Sequence, residues 1–332
     1  MNRRTILLTA SLAPLLAAPH LARASVSPVL DQAGGLDPLR AVAVWQNGQE
    51  IAARGYGRFT PDSPTNIKSA SKSVVSALAG IAIGRGLLEG PDQPIAPILR
   101  SDLPQNPDPR IHRITLGNLL SMQAGLERQS GSNYGRWVSS RNWVRAALAA
   151  PFTQDPGTRM QYSTGSTHLV AAVLTRVTGR PLLDVARDWL GPIPGFRITG
   201  WDRDPQGIYL GGNQMAMSTR SLLAFGATYA NGGRAGGRQI VPETWVQQSW
   251  QPRTASIFSG QGYGYGWFIG RIGGRDVRFG WGYGGQMIYV FPATRREPAT
   301  VIAITSDPDQ PSARTGYRAE LHRLAGALVQ AA

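Results

Sequence analysis

Apolar and polar positions change period twice along this chain. In "LRAVAVWQNGQEIAARGYGRF" they alternate on either side of Asn47-Gly48, which predicts two strands joined by a tight hairpin. From Ser69 to about Gly84 the apolar positions Val74, Val75, Leu78, Ala79, Ala82 and Ile83 fall at helical spacing, and Gly84 and Gly86 suit the helix end. Between roughly 86 and 230, helical patterns broken by Pro and Gly dominate: "ITLGNLLSMQAGL", "SRNWVRAALAA", "STHLVAAVLTRVTG" and "TRSLLAFGATYANGG". From about 262 strand patterns return in "YGYGWFIGRI", "RDVRFGWGYG", "QMIYVFP" and "ATVIAITSD", and the helix "YRAELHRLAGALVQ" closes the chain. Strands at both ends with helices between predict an α/β fold of the α+β kind. One antiparallel sheet (about 35–85 and 240–332) is flanked by helices, and an all-helical lobe (about 86–239) is inserted. No repeat or low-complexity linker divides it, so residues 25–332 read as one domain.

The first residues stand outside that pattern. "MNRRTILLTASLAPLLAAPHLARA" has a basic start, an apolar stretch from Ile6 to about Leu16, and a small-x-small end at Ala22-Arg23-Ala24. This is a secretory leader, residues 1–24, too short to span a membrane, and its removal leaves no stable anchor. Arg3-Arg4 before Ile6-Leu7 fits twin-arginine export. The expected location is the bacterial periplasm or the exterior.

With 332 residues and 42% hydrophobic content, the chain can bury roughly three quarters of its unfolded surface. Losing Arg3, Arg4 and Arg23 with the leader lowers the formal charge from +14 to +11. The arginines are scattered, with no aromatic-basic interleaving, so the charge reads as a basic surface and no nucleic-acid partner is expected. There is no cysteine, which excludes disulfides and thiolate metal sites. The mature histidines, His112, His168 and His322, lie far apart in sequence and suggest no metal; no cofactor is expected.

Of 34 Lys plus Arg only two are lysines, Lys68 and Lys72, placed on either side of Ser69. Arginine holds its proton, whereas a buried lysine can lose its own and serve as a base. Ser69 and Lys72, three apart, are neighbours on one helix face, and Lys72 heads the stripe Val75, Ala79 and Ala82. Burial there lowers the lysine pKa as a proton acceptor for serine requires. A serine in a first helical turn also sets its backbone N–H where an oxyanion can bind. Lys68 receives no role beyond proximity.

At these residues the sequence resembles a family. "SASK" is similar to the nucleophile motif of the penicillin-recognising serine hydrolases. "MQYSTGSTHLVAAVLTRVTGRPL" resembles the Tyr-x-Asn region of their class C β-lactamase-like branch. Within it, "YSTG" and "GYGGQMIYVFP" most resemble 6-aminohexanoate-dimer hydrolases and related esterases. The resemblance spans roughly residues 35 to 330. It implies a β-lactamase and penicillin-binding-protein-like fold, Ser69 as acylated nucleophile and Lys72 as its proton partner. It further implies Tyr162 as second base and acid, its phenol shifted toward phenolate by Lys72.

Two departures narrow the chemistry. Thr164 stands where the family has Asn, a hydroxyl in place of an amide that orients substrate. The Lys-Thr-Gly or His-x-Gly strand motif is replaced by "FGWGYGGQ", with glycine at the cation position. That glycine is Gly280 or Gly282, and the second oxyanion donor is accordingly Tyr283 or Gly285. The favoured motif is Trp281-Gly282-Tyr283, which together with Thr164 would contact substrate. Recognition of a β-lactam carboxylate is thereby weakened, while acyl transfer is not.

Rival motifs fare less well. "SRN" at 140–142 imitates a class A serine motif, but Ser140 precedes a helical pattern and reads as its N-cap. No G-x-S-x-G occurs, and His168 sits in an apolar helix pattern, which argues against a Ser-His-Asp hydrolase. Tyr134 and Trp137 could face substrate or plug the lobe. The expected function is a serine hydrolase acting on a small-molecule ester or amide, esterase or amidase in preference to β-lactamase. The alternatives are a non-catalytic peptidoglycan- or peptide-binding module and a basic-surface binder.

Overall fold

The computed structural model describes residues 19–332 except Arg314. The predicted leader thus lies outside the described residues as far as residue 18, and its remainder opens helix α1 (Pro19–Gln32). Strands β1 (Leu39–Gln46) and β2 (Gln49–Gly55) form the predicted hairpin. Its tip has positive φ at Asn47 (50°) and Gly48 (87°), the combination that a tight hairpin turn demands. Next come β3 (Thr65–Asn66), a 3-10 turn (Lys68–Ala70) and α2 (Ser71–Gly84). The inserted region carries α3 (Leu116–Leu120), α4 (Tyr134–Val138), α5 (Trp143–Leu148), α6 (Thr164–Thr178) and α7 (Leu182–Leu190). It returns through β4 (Gly200–Trp201), β5 (Met215–Met217) and α8 (Thr219–Ala230). A short hairpin, β6 (Arg234–Ala235) and β7 (Arg238–Gln239), and α9 (Glu243–Ser249) lead back to the sheet. The closing elements are β8 (Thr254–Ala255), β9 (Gly262–Tyr263), β10 (Phe268–Ile272), β11 (Arg275–Gly282), β12 (Gln286–Phe291), β13 (Thr300–Ser306) and α10 (Tyr317–Ala331).

The large sheet is antiparallel and eight-stranded, ordered β2-β1-β13-β12-β11-β10-β9-β8. Its middle strands, β12 and β13, are buried along their whole length, which explains their unbroken apolar sequences. Alternate residues serve different cores, as the pleat requires. Ile288, Val290, Val301 and Ala303 pack with α2, α8 and the inserted helices. Met287, Tyr289, Phe291, Ile302 and Ile304 pack with Val26 and Leu30 of α1 and Leu321, Leu324 and Leu328 of α10.

The structure refines three expectations. The inserted region is mainly helical, yet β4 and β5 join β3 in a small three-stranded sheet, and α8 packs on β1, β12 and β13. Helix α5 is capped by Asn142, whose Oδ1 accepts the Arg145 N–H at 2.9 Å, not by Ser140. Ser140 instead ends the preceding helix, its N–H bonded to Trp137 O at 3.0 Å, so the cap must come two residues later. Finally, α2 is buried all round over residues 71–82, its polar side chains Lys72, Ser73 and Ser76 included, the pattern of a central helix rather than an amphipathic one.

That burial leaves little slack. Trp245 lies directly on Gly80, where an added Cβ would come 2.1 Å from its Cγ. Gly80→Ala should therefore destabilise the protein by about 1–3 kcal/mol through overpacking, despite the better helix propensity of alanine. Chemical denaturation of the two proteins reads this directly. Just before α2, Lys68 has φ 49°, and its N–H is bonded to Asn66 Oδ1 at 3.0 Å. Left-handed backbone disfavours β-branched residues most. Lys68→Val should cost about 1–2 kcal/mol in the same assay, and Lys68→Gly less than about 1 kcal/mol.

Candidate active site

Ser69 lies in the 3-10 turn and Lys72 in the first turn of α2, so both side chains emerge on one side. Lys72 Nζ is 3.1 Å from Ser69 Oγ, donates to Gly212 O at 2.8 Å, and lies 3.5 Å from Thr164 Oγ1. It is 2% exposed, and none of these partners carries a negative charge. Desolvation therefore goes uncompensated and lowers its pKa from 10.5 to about 7. Helix α2 is anchored through its own buried serines: Ser73 Oγ donates to Gly266 O and Ser76 Oγ to Tyr265 O, each at 2.7 Å.

Tyr162, just before α6, has its phenol beside Ser69, and its ring centroid lies 5.1 Å from Lys72 Nζ. Burial pushes its phenol up to about 12. The expectation of a phenol shifted toward phenolate is thus corrected. An enclosed phenolate is poorly solvated, and a lysine that is half neutral near pH 7 supplies little charge to offset that. Thr164, expected against substrate, is 4% exposed. Its hydroxyl bonds Ser130 Oγ at 3.0 Å, and its backbone N–H donates to the same oxygen at 2.8 Å, so it buttresses Lys72 from within.

The third side of the site is the end of β11. Gly285 N–H donates to Gly282 O at 3.1 Å, which engages one of the two donors considered from sequence. The Tyr283 N–H has no acceptor among the described residues. Gly282 faces the serine turn closely: an added Cβ would lie 2.2 Å from Ile67 O and 3.2 Å from Ala70 N. Two residues earlier on the same strand, Gly280 looks onto Ser73 Oγ, 3.0 Å from where its Cβ would be. Trp281 Nε1 donates to Ser312 Oγ at 3.2 Å, while the Arg318 guanidinium stacks 4.5 Å from its ring centroid.

Several residues around the site carry no readable sequence signal. The Gly212 carbonyl that holds Lys72 is backbone, and Gly212 (φ 76°) approaches Lys72 so closely that a Cβ would sit 2.9 Å from Nζ. Its neighbour Gly211 donates its N–H to His168 Nδ1 at 3.3 Å, and His168 Nε2 meets Asp204 Oδ2 at 3.0 Å. Both side chains are fully buried, and both ring nitrogens are engaged, so this His-Asp pair braces the Lys72 acceptor and activates no serine. Trp137 is buried, edge-on to His168 at 5.5 Å, which places it in the lobe; Tyr134 Oη accepts from Asn213 Nδ2 at 3.1 Å. Phe258, passed over in the sequence, packs edge-on against Tyr162 at 5.2 Å and Trp281 at 5.7 Å. His322, bonded to Tyr289 Oη at 3.0 Å and held by burial at a pKa of about 4, is structural.

The family profile described as Beta-lactamase matches residues 36–327. "Probable fimbrial assembly protein FimD, serogroup H1" of Dichelobacter nodosus is 30% identical over 184 residues, 52% of this chain and 45% of that protein. The 6-aminohexanoate-dimer hydrolase of Paenarthrobacter ureafaciens is 24% identical over 220 residues, 60% of this chain and 54% of that one. The aligned parts thus span about half the length of these curated relatives. Among solved structures, "EstCE1, a hydrolase with promiscuous acyltransferase activity" superposes with a TM-score of 0.73 at 18% identity, covering 94% of this chain and 99% of that one. By its profile match over residues 36–327 the chain belongs to the Beta-lactamase family, and it shares the fold of EstCE1.

Proposed function

We propose that this protein is an exported serine hydrolase that cleaves an ester or amide through an acyl-enzyme on Ser69. The observation that carries the reading is Lys72: fully enclosed, without an acidic partner, and 3.1 Å from Ser69 Oγ. A lysine that titrates near neutrality is half available as a free amine. As Ser69 Oγ attacks the carbonyl carbon, its proton passes to Lys72 Nζ, with the Tyr162 hydroxyl alongside. The negative charge developing on the carbonyl oxygen is met by the N–H groups of Ser69 and Tyr283. Tyr162, protonated in the resting site, delivers a proton to the leaving oxygen or nitrogen as its bond to the acyl carbon breaks. Water, deprotonated by the same pair, then attacks the acyl-Ser69 ester, releases the acid and restores the hydroxyl. With glycine at position 280 no strand cation fixes a substrate carboxylate, which favours esterase or amidase over β-lactamase action. The relatives named for hydrolase activity agree with this class, and retention of Ser69, Lys72 and Tyr162 weighs against a mere binding module.

Rapid mixing with p-nitrophenyl acetate and butyrate, with intact mass recorded, tests the route. Wild type should give a burst and an acyl adduct, and Ser69→Ala neither. Lys72→Arg should lower turnover by at least about a thousandfold in a folded protein, since arginine keeps the charge and takes no proton. Near-wild-type activity of that variant would remove Lys72 from the mechanism. The pH profile has a definite sign. Only the neutral amine is competent, so kcat/KM should rise through about pH 7 and level off above it. At pH 5 it should be about a hundredfold below the plateau. A profile flat from pH 5 to 9 would contradict the assignment.

A further inference from the structure

Large apolar side chains that stay exposed lie mostly at the β8–β9 tip and just after β11. Among the described residues there are four: Leu87 (40%), Ile257 (51%), Phe258 (40%) and Tyr283 (52%). A single exposed apolar residue such as Leu87 is ordinary, but grouping at the mouth of a polar catalytic site is not. Tyr283 follows Gly282, the residue pressed against the serine turn. Ile257 and Phe258 form the tip between β8 and β9, at the open edge of the large sheet.

The tip is built to stay in place without a ligand. Ser256 N–H donates to Gln261 O at 2.7 Å, Gly260 N–H to Ser256 O at 2.8 Å, and Phe258 N–H to Ser256 Oγ at 3.2 Å. Phe258 then packs against two rings from separate segments: Tyr162, which leads into α6, and Trp281, at the end of β11. A phenylalanine with two aromatic contacts and 40% of its surface still open presents a preformed apolar face beside Tyr162. On the same side the strand cation is absent, since position 280 is glycine, and the nearby Arg318 guanidinium lies against the ring of Trp281.

Building on the acyl-enzyme reading, we propose that Phe258 and Ile257, with Trp281 and Tyr283, form the binding site for an uncharged apolar group of the substrate, of the size of a phenyl ring or a branched alkyl chain. The substrate class is thereby an ester or amide of an apolar acid or an apolar alcohol or amine, rather than one recognised through a free carboxylate. Burial of one such group on a preformed apolar surface should raise kcat/KM by at least about tenfold over a substrate that lacks it.

Four esters test this on the full-length mature protein by pH-stat: ethyl phenylacetate, benzyl acetate, ethyl acetate and monoethyl succinate. The proposal expects at least one phenyl-bearing ester to exceed ethyl acetate by about tenfold or more, with monoethyl succinate the poorest. In Phe258→Ala the ratio of phenyl-bearing ester to ethyl acetate should collapse by about tenfold, mainly through KM, and Phe258→Leu should recover part of it. Circular dichroism checks that both variants fold. Preference for monoethyl succinate, or a ratio untouched in Phe258→Ala, overturns the apolar site while leaving the acyl-enzyme reading intact. If no ester is turned over and Ser69 takes no acyl adduct, both readings fall together, and the mass record identifies that case.

Discussion

One lysine held away from water is the constraint on which the rest of the site depends. An ammonium buried without an anion is expensive, and Lys72 meets that cost by giving up its proton more readily. Its surroundings are arranged to keep it so. The acceptors around it, Gly212 O, Ser69 Oγ and Thr164 Oγ1, are all neutral. A carboxylate at any of those positions would hold the lysine charged and remove it as a base. Arginine in its place could not respond at all, which accounts for a lysine at this point in a chain that otherwise relies on arginine.

Holding such a group in place requires backbone that ordinary sequence avoids. Four described non-glycine residues have left-handed φ: Asn47 in the hairpin tip, and Lys68, Met122 and Gln214, which all border the site. Lys68 turns the chain into the nucleophile, and Gln214 follows the Gly211–Gly212 stretch that receives Lys72. Met122 O and Sδ accept the N–H groups of Gln161 and Ser163, on either side of Tyr162, at 2.7 and 3.4 Å. Concentration of local strain at one site is what functional surfaces show when the surrounding packing is rigid enough to impose it. Here the imposing elements are α2, buried from Ser71 to Ala82, and the His168–Asp204 pair beneath Gly211.

In the proposed mechanism Tyr162 and Lys72 divide the proton work, because burial acts on them in opposite senses. It disfavours phenolate and ammonium alike, so the tyrosine stays protonated and the lysine becomes neutral. The pair therefore rests as an acid beside a base, with the Ser69 hydroxyl 3.1 Å from the lysine amine. A resting phenolate would have needed a fully charged lysine, which this enclosure does not sustain.

The sequence by itself determined the order of strands and helices, the hairpin at Asn47-Gly48, and the choice of Ser69, Lys72 and Tyr162 as candidates, which the fold brings together. Each of those rests on short-range chemistry: alternation, helical spacing, and residue types whose reactivity is intrinsic. What it left open was decided by contacts between distant segments. Gly212 O on Lys72, Ser130 on Thr164, and Asp204 on His168 join residues 34 to 140 positions apart, and no local pattern encodes them. The end of β11 likewise offered two candidate donors, Tyr283 and Gly285, and only the folded turn engages the Gly285 N–H with Gly282 O. The pKa order of Lys72 and Tyr162, and the exposed face of Phe258 over the cleft, are properties of enclosure and solvent access, and those exist only once the sheet and the inserted helices have packed around α2.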